Sequence, residues 1–403
     1  MKKVYKLYTY TKNEGVAKTA KRTVKYVIKH TTMVKQPIEI LTAIDDVIKA
    51  DYIHHPYVAP AMKNKKKLKI GWVLSPLSNG AGGQNTIARF ARYLSEAGHD
   101  VTFYIYENSQ AQSLSEAREI MQKSFKLNIP VKKLKNYEES DALIATGWET
   151  TYPTFNTETD AHKFYFVQDF EPYFYGVGSQ YVLAENTYKM NFYGITAGPW
   201  LTKKVSEYGM RSDYFEFGAD LDIYRPKQKV QKKKKICFYA RPVTERRAFE
   251  VGVMALDLFK QKHPEYEIEF MGWDVSNFKL PFKFENRGII THAELAELYH
   301  ESVACLVLSL TNVSLLPLEL IAAGCVPVMN EGENNRMVLH GKDQYVDYAP
   351  TNPIELAEAL CKAVERENID EYAEMAANSV NSLSWDNSYK KVEEIITREV
   401  TGS

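Results

Sequence analysis

Between Cys305 and Val328 the chain reads CLVLSLTNVSLLPLELIAAGCVPV. An apolar run suited to a buried strand (Cys305 to Leu310) leads into a loop (Thr311, Asn312, Val313, Ser314). A helical stretch closed by Gly324 follows, and a second apolar strand begins at Val326. Strand, loop, helix, glycine stop and strand in so short a span demand a compact βαβ unit, and therefore a parallel sheet. Its loop-to-helix junction points free backbone N–H groups and the positive end of a helix dipole outward at Ser314 and Leu315, which suits a phosphate. Glu319, one turn further on, is within reach of a sugar hydroxyl attached to such a phosphate. An ordinary crossover with a solvated glutamate fits the same pattern.

The alternation recurs on both sides of one linker. From Lys69 the chain gives a strand (KIGWVLS), a loop over Pro76 to Gly83, a helix over Gln84 to Ala97, a stop at Gly98 and a strand DVTFYIY. Further strands are predicted at Asp141–Gly147, Lys163–Asp169, Gly194–Gly198 and Asp213–Gly218, with helices at about Leu114–Phe125, Gln180–Met190 and Trp200–Tyr208. After KQKVQKKKK, a linker by its charge, the pattern restarts with KICFYA, a helix over Arg246–Lys262, strands YEIEFMGW and FKFENRGII, and a helix over Ala293–His300. The βαβ unit, a strand QYVDYA and helices at Pro353–Arg366 and Asn387–Val400 complete it. The fold class expected is α/β: two Rossmann-like, doubly wound parallel-sheet domains facing a cleft. The boundaries expected are a basic extension packed on the first domain (1–67), an N-terminal domain (68–222), a C-terminal domain (223–383) and a last helix returning toward the N-terminal domain (384–403).

Composition narrows the classes of function. The 403 residues carry 51 Lys+Arg against 51 Asp+Glu, so no global field points to nucleic acid. Residues 1–67 are the exception, with fifteen Lys/Arg against five Asp/Glu, a local charge of +10. Such an end suits the anionic face of a membrane, or serves as a solvated basic extension. The 4 cysteines lie in apolar runs without ligand spacing and read as reduced core thiols of a cytoplasmic protein. No apolar leader and no run fit to span a bilayer is evident, so membrane contact is expected to be peripheral.

Strand ends supply the candidate chemistry. Asn79-Gly80-Ala81-Gly82-Gly83 follows the first strand where open α/β sheets bind ligands, but it lacks the G-x-G-x-x-G spacing, which argues against a nicotinamide cofactor. Trp148-Glu149 and Gln168-Asp169-Phe170-Glu171-Pro172-Tyr173 follow two later strands. Asp220-Leu221-Asp222 matches the Asp-x-Asp of metal-dependent transferases, a weak signal in isolation.

These residues resemble the retaining GT-B glycosyltransferases of the family-4 type. FGADLDIYRP (Phe217 to Pro226) is similar to that family's interdomain segment, in which an asparagine-glycine-valine-aspartate run leads to phenylalanine-arginine-proline. Tyr239 to Arg246 (YARPVTER) resembles its glycine-arginine…glutamate-lysine signature, with Arg246 in place of lysine. Thr291 to Tyr299 resembles the nucleobase-pocket segment, and LPLELIAAGCVPV (Leu316 to Val328) the proline-leucine-x-glutamate run. The resemblance covers Lys69 to Val400. Thr311 departs from it, because the family has there the first of two glutamates and Glu319 is the second. Thr311 and Gln168-Asp169 are similar to the rhamnosyltransferase branch that builds S-layer glycans.

The resemblance implies a donor, dTDP-β-L-rhamnose, a lipid-linked glycan acceptor, and no metal or other cofactor. It implies donor-side roles for Gly82, Gly83, Arg241, Arg246, Gly272, Thr291, His292, Leu295, Thr311, Ser314, Leu315 and Glu319. It implies acceptor-side roles for Trp148, Gln168, Asp169, Glu171 and Tyr173, with Arg241, Arg246 and Asp169 as the catalytic set. Three other readings stay open at this stage: a GT-B transferase using a UDP- or GDP-sugar, an epimerase of the same fold, and a non-catalytic nucleotide-sugar-binding partner.

Overall fold

Seven strands, β1 (Lys69–Leu74), β2 (Asp100–Ile105), β3 (Val131–Lys133), β4 (Ala142–Ala145), β5 (His162–Val167), β6 (Tyr193–Ala197) and β7 (Ser212–Phe215), pair in the order β3-β2-β1-β4-β5-β6-β7. Six more, β8 (Lys235–Tyr239), β9 (Glu267–Met271), β10 (Glu285–Gly288), β11 (Ala304–Val307), β12 (Val326–Asn330) and β13 (Asp347–Ala349), pair in the order β10-β9-β8-β11-β12-β13. Every ladder is parallel. The computed structural model describes residues 38, 40–108, 111–226, 231–313, 315–339, 341–381 and 383–402. Residues 41–403 form one compact unit. Residues 1–37 and 39 of the basic extension, and the phosphate contact expected at Ser314, lie outside the described residues.

Parallel sheets bury both faces, and the strands show it: β4, β5, β11 and β12 are apolar-rich and buried along their whole length. The edges β3 and β10 are only partly buried. In each sheet the winding direction reverses between two central strands, β1 and β4 in the first, β8 and β11 in the second. Crevices for ligands open outside the carboxyl ends of such pairs.

The last helix, Trp385–Thr401, crosses back to the first sheet's layer. Tyr389 stacks on Tyr93 at 5.2 Å and meets the edge of Phe90 at 5.4 Å, while Phe90 packs against Phe166 and Phe215. Arg398 closes the far end on Asp213 at 2.6 Å. Within residues 41–67, Asp46 accepts from the Tyr106 hydroxyl at 2.7 Å, and Lys65 reaches Asp141 at 2.7 Å, so this part of the basic extension packs on the first domain.

Several local expectations need correction. Strand β3 and the helix Trp148–Asn156 were not anticipated. The helix carries β-branched threonines and Pro153, which oppose helix in isolation; burial of Trp148, Tyr152 and three threonines against the sheet outweighs that preference. The helix expected from Arg246 begins only at Phe249, because Ala248 is left-handed (φ +46°) and separates it from a single 3₁₀ turn at Glu245–Arg247. Helix Leu316–Ala322 spans 7 residues, less than two full turns, so its dipole is short.

Candidate active site

The candidate site lies where the carboxyl ends of β5, β8 and β11 meet. Asp169, two residues past β5, lies against the loop that follows β11. Its Oδ2 accepts from the Thr311 hydroxyl at 3.0 Å, and its Oδ1 from the backbone N–H groups of Asn312 (3.0 Å) and Phe170 (2.8 Å). The Asn312 side chain returns the contact by donating to the Gln168 carbonyl at 2.9 Å and the Ala197 carbonyl at 3.2 Å. Burial pushes the Asp169 carboxyl above its usual value, against the opposite pull of Arg246 and Arg247. A carboxylate therefore stands against Thr311, supplied from the first sheet by Asp169.

Arg246 is held from the same side. Its guanidinium carbon lies 4.0 Å from the centre of the Phe174 ring, and its Nε is 3.4 Å from Asp169 Oδ2. That distance is an ion pair without hydrogen-bond alignment, and Arg246 Nε and Arg241 Nε are both buried with no hydrogen-bond partner. Arg241 follows β8 and faces the Trp273 ring at 5.6 Å. A third guanidinium, Arg247, donates to Ser309 Oγ at 2.7 Å. Burial pulls its pKa down, and the proximity of Arg246 and Arg241 pulls it further, while Asp169 and Tyr239 oppose the drop. Two cations, Arg246 and Arg247, therefore face one carboxylate with Arg241 close to Arg247, an excess of positive charge matched to an anion of more than one charge.

The loop under these cations is fixed from below by asparagines. Asn330 accepts from Ser309 N–H at 2.7 Å and donates to the Ser309 carbonyl at 2.9 Å; Asn335 joins the Ser309 and Asn330 carbonyls at 3.3 and 2.7 Å. Asn334 donates to the Thr311 carbonyl.

Two of the donor-side residues, His292 and Glu319, meet around one tyrosine. Tyr224 places its hydroxyl 2.7 Å from His292 Nδ1, and Glu319 lies close by. Burial, with Asp220 nearby, pushes the Glu319 carboxyl up to about 8. Thr291 caps the helix His292–Glu301 in a reciprocal box with Glu294, and Leu295 packs into the core beside it. Gly272 has φ +99°, and an added Cβ would lie 2.7 Å from the Tyr239 ring, so only glycine fits. Leu315 is the N-cap of the short helix. Gly82 and Gly83 form the first turn of the helix Gly82–Glu96 rather than a loop, with Gly83 facing the Gln168 side chain.

The acceptor side is corrected for two residues. Trp148 is 1% exposed, its indole donating to the Tyr175 hydroxyl at 2.9 Å, so its ring has no face for a sugar. Glu171 is interior too, accepting from Trp148 N–H at 2.7 Å and the Tyr165 hydroxyl at 2.9 Å. Tyr173, 41% exposed, and the half-buried Gln168 remain accessible. The Asp-x-Asp pair is also accounted for: Asp220 is bound in a fork by Arg89 at 2.9 and 2.6 Å, and Asp222 is exposed. No group of three or more metal-ligating side chains occurs among the described residues.

Burial and the neighbouring Glu149 push Glu171 up to about 8. The folded protein therefore holds a proton that the unfolded chain releases near the ordinary glutamate value of 4.5. Stability from this group is complete below that value and is lost as pH rises to about 8, with a slope approaching about 1.4 kcal/mol per pH unit. The expected result is that Glu171→Gln flattens the denaturant-midpoint profile between pH 5 and 8; an unchanged profile contradicts the assignment.

Sequence reasoning missed Arg247, Asn312 and Tyr224. The pair of arginines after Glu245 was the available signal for the first, masked by reading a continuous helix. Asn312 and Tyr224 carried no signal, since only the fold brings them to Asp169 and Glu319.

Two parallel α/β domains with a cation-rich site at their facing strand ends define the GT-B glycosyltransferase fold. The chain superposes on a glycosyltransferase from Rickettsia africae with a TM-score of 0.62 at 16% identity, covering 84% of this chain and 100% of that one. It superposes on Anabaena HepE in complex with UDP-glucose with a TM-score of 0.61 at 13% identity, covering 83% and 100%. Models of the WsaF N-terminal and C-terminal domains match residues 96–197 and 234–361, together more than half of the chain. The chain belongs to the WsaF family. It is also 34% identical over 210 residues to the O-antigen biosynthesis protein RfbC of Myxococcus xanthus, a match that takes in 50% of this chain and 16% of that much longer relative.

Proposed function

We propose that this protein is a glycosyltransferase that moves L-rhamnose from dTDP-β-L-rhamnose to a growing rhamnose-containing cell-surface glycan, with retention and without a metal. The observation that carries the reading is the cluster of Arg241, Arg246 and Arg247 past β8, with the buried Asp169 carboxylate facing Arg246 and Arg247. As the sugar departs, negative charge builds on the diphosphate, and preorganised cations already in place stabilise it without reorganising. A retaining transfer of this kind has the acceptor hydroxyl attack from the face the diphosphate leaves, with a phosphate oxygen taking its proton. Asp169, at Thr311, stands beside the reacting sugar in this reading. A 6-deoxy sugar has no 6-hydroxyl to bind, consistent with threonine where the resembled family has glutamate.

The acceptor in this proposal is lipid-linked, and the protein works at the cytoplasmic face of a membrane, which the +10 charge of residues 1–67 favours. No helix among the described residues is long and apolar enough to cross a membrane. A thermal-shift panel of dTDP, UDP and GDP with their sugars, followed by a transfer assay in the presence of chelator, tests the proposal. The expected result is the largest shift with dTDP-L-rhamnose and chelator-resistant transfer. A clear preference for GDP or UDP contradicts the rhamnose assignment, and binding without release of free nucleotide contradicts the enzyme.

A further inference from the structure

Trp148 and Glu171, which the strand-end pattern assigned to the acceptor, serve as footings for a turn. Trp148 gives its backbone N–H to Glu171 at 2.7 Å and its indole N–H to the Tyr175 hydroxyl at 2.9 Å, and Glu171 also accepts from the Tyr165 hydroxyl at 2.9 Å. Glu171 and Tyr175 bracket the 3₁₀ turn Glu171–Phe174, so the segment after β5 is pinned at both ends. Tyr173 adds an edge contact to Phe170 at 4.7 Å. What this turn presents is Phe174, a large apolar ring left 36% exposed, for which burial gives no reason. One side of the ring is occupied, because the Arg246 guanidinium carbon lies 4.0 Å from its centre.

The contact joins the two sheets, since Phe174 follows β5 and Arg246 follows β8. The Arg246 backbone is already set by the turn Glu245–Arg247 and by its carbonyl, which accepts from Leu310 N–H at 2.9 Å. Its long side chain must still be ordered before it can act as a preorganised donor. A carboxylate in full hydrogen-bonding contact would order it by taking N–H groups, which are then lost to a phosphate. An aromatic face attracts the cation and offers no lone pair, so those N–H groups stay available. Asp169 acts in the same sense, its Oδ2 lying 3.4 Å from Arg246 Nε without hydrogen-bonding it. We propose that Phe174 is a positioning residue for the transfer: from the opposite sheet it holds the Arg246 guanidinium in the orientation that meets the leaving diphosphate. The inference rests on the role given to Arg246 above and deepens it.

Steady-state kinetics of a double-mutant cycle on Phe174 and Arg246 test it. Phe174→Leu is expected to lower kcat about tenfold and to leave the donor KM within about twofold, because the orienting contact matters most once charge develops on the leaving group. Phe174→Trp, which keeps an aromatic face for the cation, is expected to recover most of that loss. In an Arg246→Ala background, Phe174→Leu is expected to change kcat by less than about twofold, since the group it positions is gone. Unchanged transfer by Phe174→Leu overturns the inference, and so does a loss in Phe174→Trp as large as in Phe174→Leu. An equal loss with and without the Arg246 guanidinium overturns it as well, because a merely structural ring would behave that way. Full transfer by Arg246→Ala alone removes the role of Arg246 and this inference with it.

Discussion

Replacing Arg246 by alanine is expected to lower glycosyl transfer about 10²–10³-fold at saturating donor, the cost of removing one preorganised donor aimed at developing charge. The guanidinium is prepositioned, lying 4.0 Å from the Phe174 ring and 3.4 Å from Asp169, with its Nε buried and lacking a hydrogen bond. A diphosphate placed beside it would meet a charge already in position. Arg246→Lys keeps the charge but loses the planar fork, and a smaller loss is expected. Steady-state kinetics measure both variants. Equal activity of Arg246→Ala and the unmodified protein would show that the anion lies elsewhere.

The second large effect is expected at Asp169. In Asp169→Ala the Thr311 hydroxyl and the Asn312 N–H lose their acceptor in a buried place, and each group so stranded costs about 1–3 kcal/mol. Arg246 and Arg247 lose their nearest counter-charge at the same time. The folded state is therefore expected to weaken by about 2–4 kcal/mol. Because the loop carrying Thr311 is then free to shift, transfer is expected to fall about 10²-fold. Asp169→Asn retains one acceptor oxygen and is expected to lose less of both. Urea denaturation with unchanged slope gives the first quantity and kcat the second. An Asp169→Ala protein that unfolds and transfers like the original would mean the β5–β11 contact has no part in either.

Period and punctuation in the sequence carried most of the fold. The apolar runs at β1, β4, β5, β8, β11 and β12, each broken by glycine or a polar loop, announced two parallel sheets because such strands are buried on both faces and have no polar side to blur the pattern. The helix Trp148–Asn156 was hidden because tertiary burial, not local preference, makes Thr150, Thr151 and Pro153 helical. In the site, Arg241, Arg246, Thr311 and Glu319 were legible as positions in a motif. The pairings were not: Asp169 reaches Thr311 across 142 positions of sequence and Tyr224 reaches His292 across 68, separations at which no spacing rule operates. Trp148 and Glu171 were misjudged for a related reason, since a strand end marks the rim of a cleft without saying which side chains fold under it.

A crystal structure of the protein with dTDP tests the central claim most directly. The account predicts the diphosphate between the carboxyl ends of β8 and β11, with phosphate oxygens about 2.7–2.9 Å from guanidinium nitrogens of both Arg241 and Arg246. A diphosphate bound out of reach of these two side chains would contradict it.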